Sequence, residues 1–174
     1  MSGSATIASV FVQRVVVGVG DMAVSNNPST ILSTYALGSC IGVIAYDPVA
    51  QCGGILHLML PEASISPAKA ASQPAMFADT GLPLFFKELV GLHSTPANLR
   101  LFVTGGASVI AGTDPFRIGE RNTMVTLDYL NRKQYRVPKI DTGGSISRTV
   151  HLDLRTGTVN LSTALSKSML ELAA

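Results

Sequence analysis

Three observations predict an α/β sandwich, with helices packed on a mixed, mainly antiparallel sheet. Runs of strand-forming residues outnumber helical ones. Two segments with helical spacing fall in the middle of the chain. Hydrophobic residues make up 47% of the 174 positions and charged residues only 14%, enough apolar material for a sizeable core. The expected organisation is a single domain over residues 1–174, with its core at about 9–162 and a short tail at 163–174.

Residues 9–20, SVFVQRVVVGVG, are rich in β-branched side chains and read as a strand. Asn26, Asn27 and Pro28 supply turn chemistry after it. ILSTYALG and CIGVIAYD read as two strands or one strand bent at Gly38, ended by Asp47 and Pro48; GGILHLMLP is a further strand, stopped by Pro61. Residues 62–75 are Ala/Ser/Pro-rich without periodicity and read as an exposed loop. Phe77, Leu82, Phe85, Phe86, Leu89 and Val90 repeat at helical spacing, with Gly81 and Pro83 marking a kink or a fresh start. NLRLFVTGGA is a strand entering a glycine turn, and IGERNTMVTLDYLNRKQ is the second main helix. YRVPKIDTGG reads as a strand, SRTVHLDLRTGTVNLS as a hairpin, and TALSKSMLELAA as a short terminal helix.

Composition narrows the function classes. A net charge of +2 with no basic run offers no footprint for nucleic acid. Two cysteines are too few for a disulfide framework, and no pairs of Cys and His take structural-zinc spacing. Arg14 interrupts the N-terminal apolar run, which makes a poor signal peptide, and no apolar run approaches the roughly 18 residues that span a bilayer. A cytoplasmic globular protein without membrane insertion is the expectation.

Within this apolar chain, Thr34, Cys40 and His57 stand out. A thiol attacks only as a thiolate, which needs a base or positive charge nearby. Cys40 lies between LGS and IG, where small neighbours give a substrate carbonyl room and leave backbone N–H groups to face it. By itself Cys40 reads first as a buried structural cysteine, which behaves as a small hydrophobe. His57 sits mid-strand in GGILHLML, either as a core histidine bonded to a carbonyl or as the base beside Cys40. Thr34 is then the group that fixes the imidazole tautomer, or merely a strand threonine. Ser39 and Gly38 are oxyanion or substrate contacts by position only. The glycine turns VTGGASV and DTGGSIS fit neither a dinucleotide fingerprint nor a P-loop. Glu120 and Arg121 fall at a helix start, where Glu favours the dipole. His93 and His151 read as surface residues, and Cys52, beside a turn with no basic neighbour, as structural or incidental.

These motifs together resemble the chemoreceptor glutamine deamidases, the CheD family. The matching pieces are VGVGDMAVS, TYALGSCIGVIAYDP, GGILHLMLPEA, MFADTGLPLFF, GGAS, IGERN and DTGG, spread over about residues 15–161. The resemblance implies a three-layer α/β sandwich and a Cys–His–Thr triad carried onto Cys40, His57 and Thr34. It implies hydrolysis of glutamine side-chain amides on methyl-accepting chemotaxis receptors, through a cysteine thioester and without metal or organic cofactor. Some members also hydrolyse glutamate methyl esters, and a CheC-type phosphatase is a family partner that occupies the substrate site. The chain departs from the family pattern at Ser147, where a glycine is usual, and at Val109 and Ile110, where Met and often an aromatic residue follow GGAS. Three rivals remain on the residues alone: a non-catalytic binding module regulating such a phosphatase, a Cys-dependent amidohydrolase acting on another protein, and a metal site built from Cys40, Cys52 and His57.

Overall fold

The computed structural model describes residues 11–109 and 114–174. Two five-stranded sheets and three helices stack as β/β/α layers. Strands β1 (Gln13–Val16), β3 (Thr30–Leu37), β8 (Arg148–Asp153), β9 (Thr158–Ser162) and β10 (Lys167–Glu171) form the first sheet in the order β1-β3-β8-β9-β10. Strands β2 (Asp21–Ser25), β4 (Ile41–Asp47), β5 (Cys52–Leu58), β6 (Arg100–Gly105) and β7 (Lys139–Thr142) form the second, in the order β2-β5-β4-β6-β7. Each sheet is antiparallel except for one parallel edge pair, β1 with β3 and β6 with β7. The α/β sandwich with mixed, mainly antiparallel sheets is therefore the observed architecture.

The second sheet is buried on both faces, which explains its unbroken apolar strands; every residue of β4 and β5 is buried. On one face, Ile41, Val43, Leu56, Leu58, Leu101 and Val103 meet the helices α2 (Ala78–Gly91) and α3 (Ile118–Arg132) through Leu82, Phe85, Leu89 and Leu130. On the other, Ile44, Ile55 and Phe102 interdigitate with Leu32, Val150, Leu152 and Val159 of the first sheet. Phe85 and Phe102 are essentially unexposed, and truncating either to Ala costs about 3–5 kcal/mol.

Several local expectations change. Of the strand expected at residues 9–20, only Gln13–Val16 is strand, and residues 9–10 lie outside the described residues. Residues 62–75 are not a loop: they hold a 3₁₀ turn at Ala63–Ile65, helix α1 (Pro67–Ser72) and the start of a second 3₁₀ turn, Pro74–Met76. Pro67 and Pro74 open these segments because a first-turn residue needs no N–H partner. Helix α2 starts at Ala78 and carries Gly81 and Pro83 within its first two turns. Gly81 packs against Ala75, where an added Cβ would come 3.0 Å from the Ala75 carbonyl oxygen. The tail is a strand rather than a helix. β10 pairs with β9 along its length, from Lys167 opposite Ser162 to Glu171 opposite Thr158, so the pairing edge overrides local helical preference.

Candidate active site

Strand β3 belongs to the first sheet and β4 to the second, so residues 38–40 cross from one sheet to the other. The crossing begins at a bulge. The β3–β8 register shifts between Thr34 and Leu37, Ala36 takes a left-handed φ of 56°, and its carbonyl accepts the Gly38 N–H at 2.8 Å. Cys40 is the last residue before β4. Its carbonyl accepts the Gly106 N–H at 2.8 Å, and the Gly38 carbonyl accepts the Ala107 N–H at 2.8 Å, which bind the crossing to the glycine turn after β6. Gly105 is required here: with φ at 109°, an added Cβ would collide with the Cys40 carbonyl oxygen.

The β4–β5 hairpin sets Gly42 opposite His57. Cys40 is two residues from Gly42, so alternation puts its side chain on the same face as His57, the face between the sheets. In this diagonal relation Cα atoms lie about 7–8 Å apart. Gly42 leaves the position between them without a side chain, and Leu37 covers it; an added Cβ would come 2.9 Å from Leu37 Cδ1.

Thr34 projects inward from β3 to meet His57 from the opposite sheet, with Thr34 Oγ1 2.7 Å from His57 Nδ1. The direction of this bond follows from proton counting. The threonine hydroxyl has a single proton, and it is donated to the Val17 carbonyl at 2.8 Å, an oxygen that can only accept. The Nδ1–H of His57 must therefore donate to Thr34 Oγ1. That leaves the lone pair on Nε2, the tautomer a general base requires. Burial lowers the His57 pKa to about 4, with the Val17 carbonyl opposing in part, so the ring is neutral near pH 7. Nε2 is buried and has no hydrogen-bond partner among the described residues. Burial also raises the Cys40 pKa, opposed by its own backbone N–H. The resting pair is a neutral thiol and a neutral imidazole, not a thiolate–imidazolium ion pair. No hydrogen bond joins Cys40 Sγ to His57 Nε2 in this structure.

The positional oxyanion candidates separate. The Gly38 N–H is spent on the Ala36 carbonyl, whereas neither the Ser39 nor the Cys40 N–H donates to another residue among the described residues. A groove of about 270 Å³ runs beside Ser39, lined by Met59, Leu60, Ala107, Ser108 and Val109. A larger cavity, about 550 Å³, lies behind the Gly106 turn, and neither it nor the groove is lined by Cys40 or His57.

Other expectations resolve in the same geometry. Cys52 and His57 are five residues apart on the extended β5, about 17 Å, so Cys40, Cys52 and His57 do not form a ligand set. Cys52 is fully buried, and burial first, then the Asp47 charge, raises its pKa. His93 is exposed, as expected. His151 is not simply a surface residue: it is half-buried, with Nδ1 2.7 Å from Ser33 Oγ. Ser147 is exposed, and Arg148 beside it is buried, donating to the Gly143 and Ile146 carbonyls at 2.9 and 3.1 Å and pairing with Asp141 at 2.9 Å. Val109 is half-exposed at the groove, and Ile110 lies outside the described residues.

The sequence reading passed over Asn122. It is fully buried in the first turns of α3, and its Nδ2 donates to the Ser39 carbonyl at 2.9 Å and the Met59 carbonyl at 2.8 Å. The signal was present: Gly119, Asn122, Thr126 and Leu130 form the buried stripe of the helix, so an amide stands where the apolar period calls for a core side chain.

A thiol, an imidazole held as the Nε2 base and uncommitted amides, all at one edge of a β/β/α sandwich, are the parts a cysteine-dependent amide hydrolase needs. The chain belongs to the CheD family. It matches the family model described as CheD chemotactic sensory transduction over residues 59–163. It is 45% identical over 145 residues to the probable chemoreceptor glutamine deamidase CheD 1 of Syntrophus aciditrophicus, covering 83% of this chain and 91% of that one. It is 41% identical over 149 residues to the corresponding protein of Syntrophotalea carbinolica, at 84% and 92% coverage. With that of Pyrococcus abyssi it shares 38% over 161 residues, covering 91% and 97%.

Proposed function

We propose that this protein deamidates glutamine side chains of chemotaxis receptors, with Cys40 as nucleophile, His57 as base and acid, and Thr34 as the residue that orients His57. The observation that carries the reading is the Thr34–His57 bond, whose direction leaves Nε2 as an acceptor on the face that Cys40 shares. The names of the relatives supply the substrate class.

Because both partners rest neutral, proton transfer accompanies attack. His57 Nε2 takes the Cys40 proton as Sγ bonds to the glutamine Cδ, and the carbonyl electron pair moves onto oxygen. The Ser39 and Cys40 N–H groups are the donors available to that oxyanion. An imidazolium disfavoured by burial gives its proton readily to the departing nitrogen, and ammonia leaves as the C–N bond breaks. Water then attacks the thioester with His57 as base, releasing glutamate and restoring the thiol. The same steps would cleave a glutamate methyl ester with methanol as leaving group. The groove beside Ser39 suits a side chain presented on a protein surface, and a CheC-type phosphatase, the partner the family resemblance brings, would contest that surface with the receptor. A reactive free thiol suits a reducing compartment, which supports a cytoplasmic setting for this reading.

The test is incubation with a receptor cytoplasmic fragment, followed by peptide mass spectrometry for amide-to-acid conversion, with Cys40→Ala alongside. Conversion by wild type and none by the variant is expected. Equal conversion by both would remove Cys40 as nucleophile.

A further inference from the structure

The Ser39–Cys40 peptide is the unit through which the nucleophile's own N–H meets an oxyanion. One end of it is held by a side chain to which no role has been given. The Ser39 carbonyl accepts from Asn122 Nδ2 at 2.9 Å, and the same nitrogen donates to the Met59 carbonyl at 2.8 Å. Two carbonyl acceptors fix which end of the carboxamide is nitrogen, since an oxygen there would face two oxygens. The Met59 end is a rigid anchor: the N–H groups of Met59 and Leu60 both donate to the Met76 carbonyl, at 2.8 and 3.0 Å. The Ser39 end lies in the crossing between sheets, outside either strand ladder.

A trans peptide is planar, so its C=O and N–H point in opposite directions. Whatever holds the Ser39 oxygen aims the Cys40 nitrogen. That N–H faces its own thiol and donates to no other residue among the described residues. A hydrogen bond accepted at the carbonyl also polarises the peptide and strengthens its N–H as a donor. Asn122 itself is fully buried, and its Oδ1 has no partner among the described residues, so the side chain is held at a cost for the sake of its nitrogen.

We propose that Asn122 is a positioning residue for deamidation: by holding the Ser39 carbonyl against the fixed Met59 strand end, it aims the Cys40 N–H as the oxyanion donor. The inference rests on the reading of Cys40 as nucleophile and assigns that reading its oxyanion geometry.

Its test separates two reactions of one thiol. Alkylation of Cys40 by iodoacetamide displaces iodide and builds no oxyanion, whereas deamidation builds one in each half-reaction. Asn122→Asp and Asn122→Ala are compared with wild type for kcat and KM on a receptor fragment and for Cys40 alkylation rate across pH 7–9. The expected result is a kcat loss of about 10²-fold, the cost of misplacing a reacting group by about 1 Å, with KM and alkylation rate near wild type. An unchanged kcat would overturn the proposal. So would alkylation and kcat falling together, since Asn122 would then support the whole site as a structural brace. A second measurement on ¹⁵N-labelled wild type stands if neither variant folds. A receptor peptide carrying an aldehyde in place of the glutamine amide is added, and the Cys40 amide proton is expected to move downfield as the thiol adds to it; no movement overturns the proposal. Cys40→Ala runs in parallel, and its retained activity would count against the nucleophile reading rather than against Asn122.

Discussion

Ser33 and Thr34 are neighbours on β3, and each hydroxyl lies 2.7 Å from the Nδ1 of a histidine. Alternation sends them to opposite faces of the first sheet. Thr34 reaches His57 in the closed space between sheets, while Ser33 reaches His151 on the outer face, beside Tyr35. Burial lowers both imidazole pKa values, His57 to about 4, and for His151 the Arg14 charge lowers it further. The pairs differ in two respects. The Thr34 proton is committed to Val17, which forces one tautomer on His57. A thiol shares the His57 face. A hydroxyl–imidazole contact thus occurs twice on this strand, and of the two only the inner one has both a fixed tautomer and a thiol on its face.

The strongest way to break this comparison is to remove the pair's reactive members. Cys40→Ala and His57→Ala should each abolish receptor deamidation with circular dichroism unchanged, and the double variant should be little worse than either. Losses that multiply would mean that His57 does not act through Cys40. His151→Ala, in the same assay, should stay close to wild type.

Thr34 comes next. An orienting Asp in a serine triad is worth about 10⁴ in rate, and a neutral hydroxyl should be worth less. Thr34→Ala should therefore lose much of kcat, while Thr34→Ser, which keeps the proton to Val17 and the acceptor to His57, should retain most of it. A Ser variant as inactive as the Ala variant would make Thr34 a packing residue.

Stability against pH sharpens the contrast between the two imidazoles. His57 is held neutral in the folded state, with its pKa lowered from 6.5 to about 4, so the unfolded chain binds more protons between these values. Stability should be complete above about pH 6.5 and fall as pH drops towards 4, by at most about 3 kcal/mol from this group. His151 contributes in the same direction. Thermal unfolding of His57→Gln and His151→Gln separates the two: the larger flattening of the acid slope belongs to His57→Gln. Equal slopes would mean that His57 is not buried as described.

The smallest effect concerns the other thiol. Cys52 is fully buried, and Cys40 is partly buried. Iodoacetamide should modify Cys40 first, faster as pH rises because its pKa is raised, and inactivation should track that site. Cys52→Ser should leave catalysis near wild type. Inactivation that follows Cys52 labelling with Cys40 free would reverse the roles of the two cysteines.

Much of the site was legible in the chain. The β4–β5 hairpin follows from Asp47 and Pro48 between two apolar runs, and Asp47 caps the turn by accepting the Val49 and Ala50 N–H groups at 2.9 Å. A histidine and a small-residue cysteine at that hairpin were visible as residues. The stripe that places Asn122 in the core was also visible, although the eye stops at Glu120 as a cap. Residues 167–171 and 62–75 misled, because a short segment takes the conformation its neighbours can pair or cover, whatever its own preference.

By itself, the sequence determined most of the strands and both main helices, because period and turn residues act over a few positions, but not the segments 62–75 and 167–171. It also singled out Thr34, Cys40 and His57 as polar residues within apolar segments, because side-chain chemistry is read residue by residue. Only the tertiary structure decided that β3 and β4 belong to different sheets, that Thr34 faces His57 across the gap, and that Asn122 joins the two segments bearing thiol and base. These are contacts between residues 23, 63 and 83 positions apart, and their geometry depends on how whole layers stack. The tautomer of His57 is the clearest case: it is set by where one threonine proton goes, and the acceptor, Val17, is 17 residues away on a strand end that no local pattern ties to Thr34.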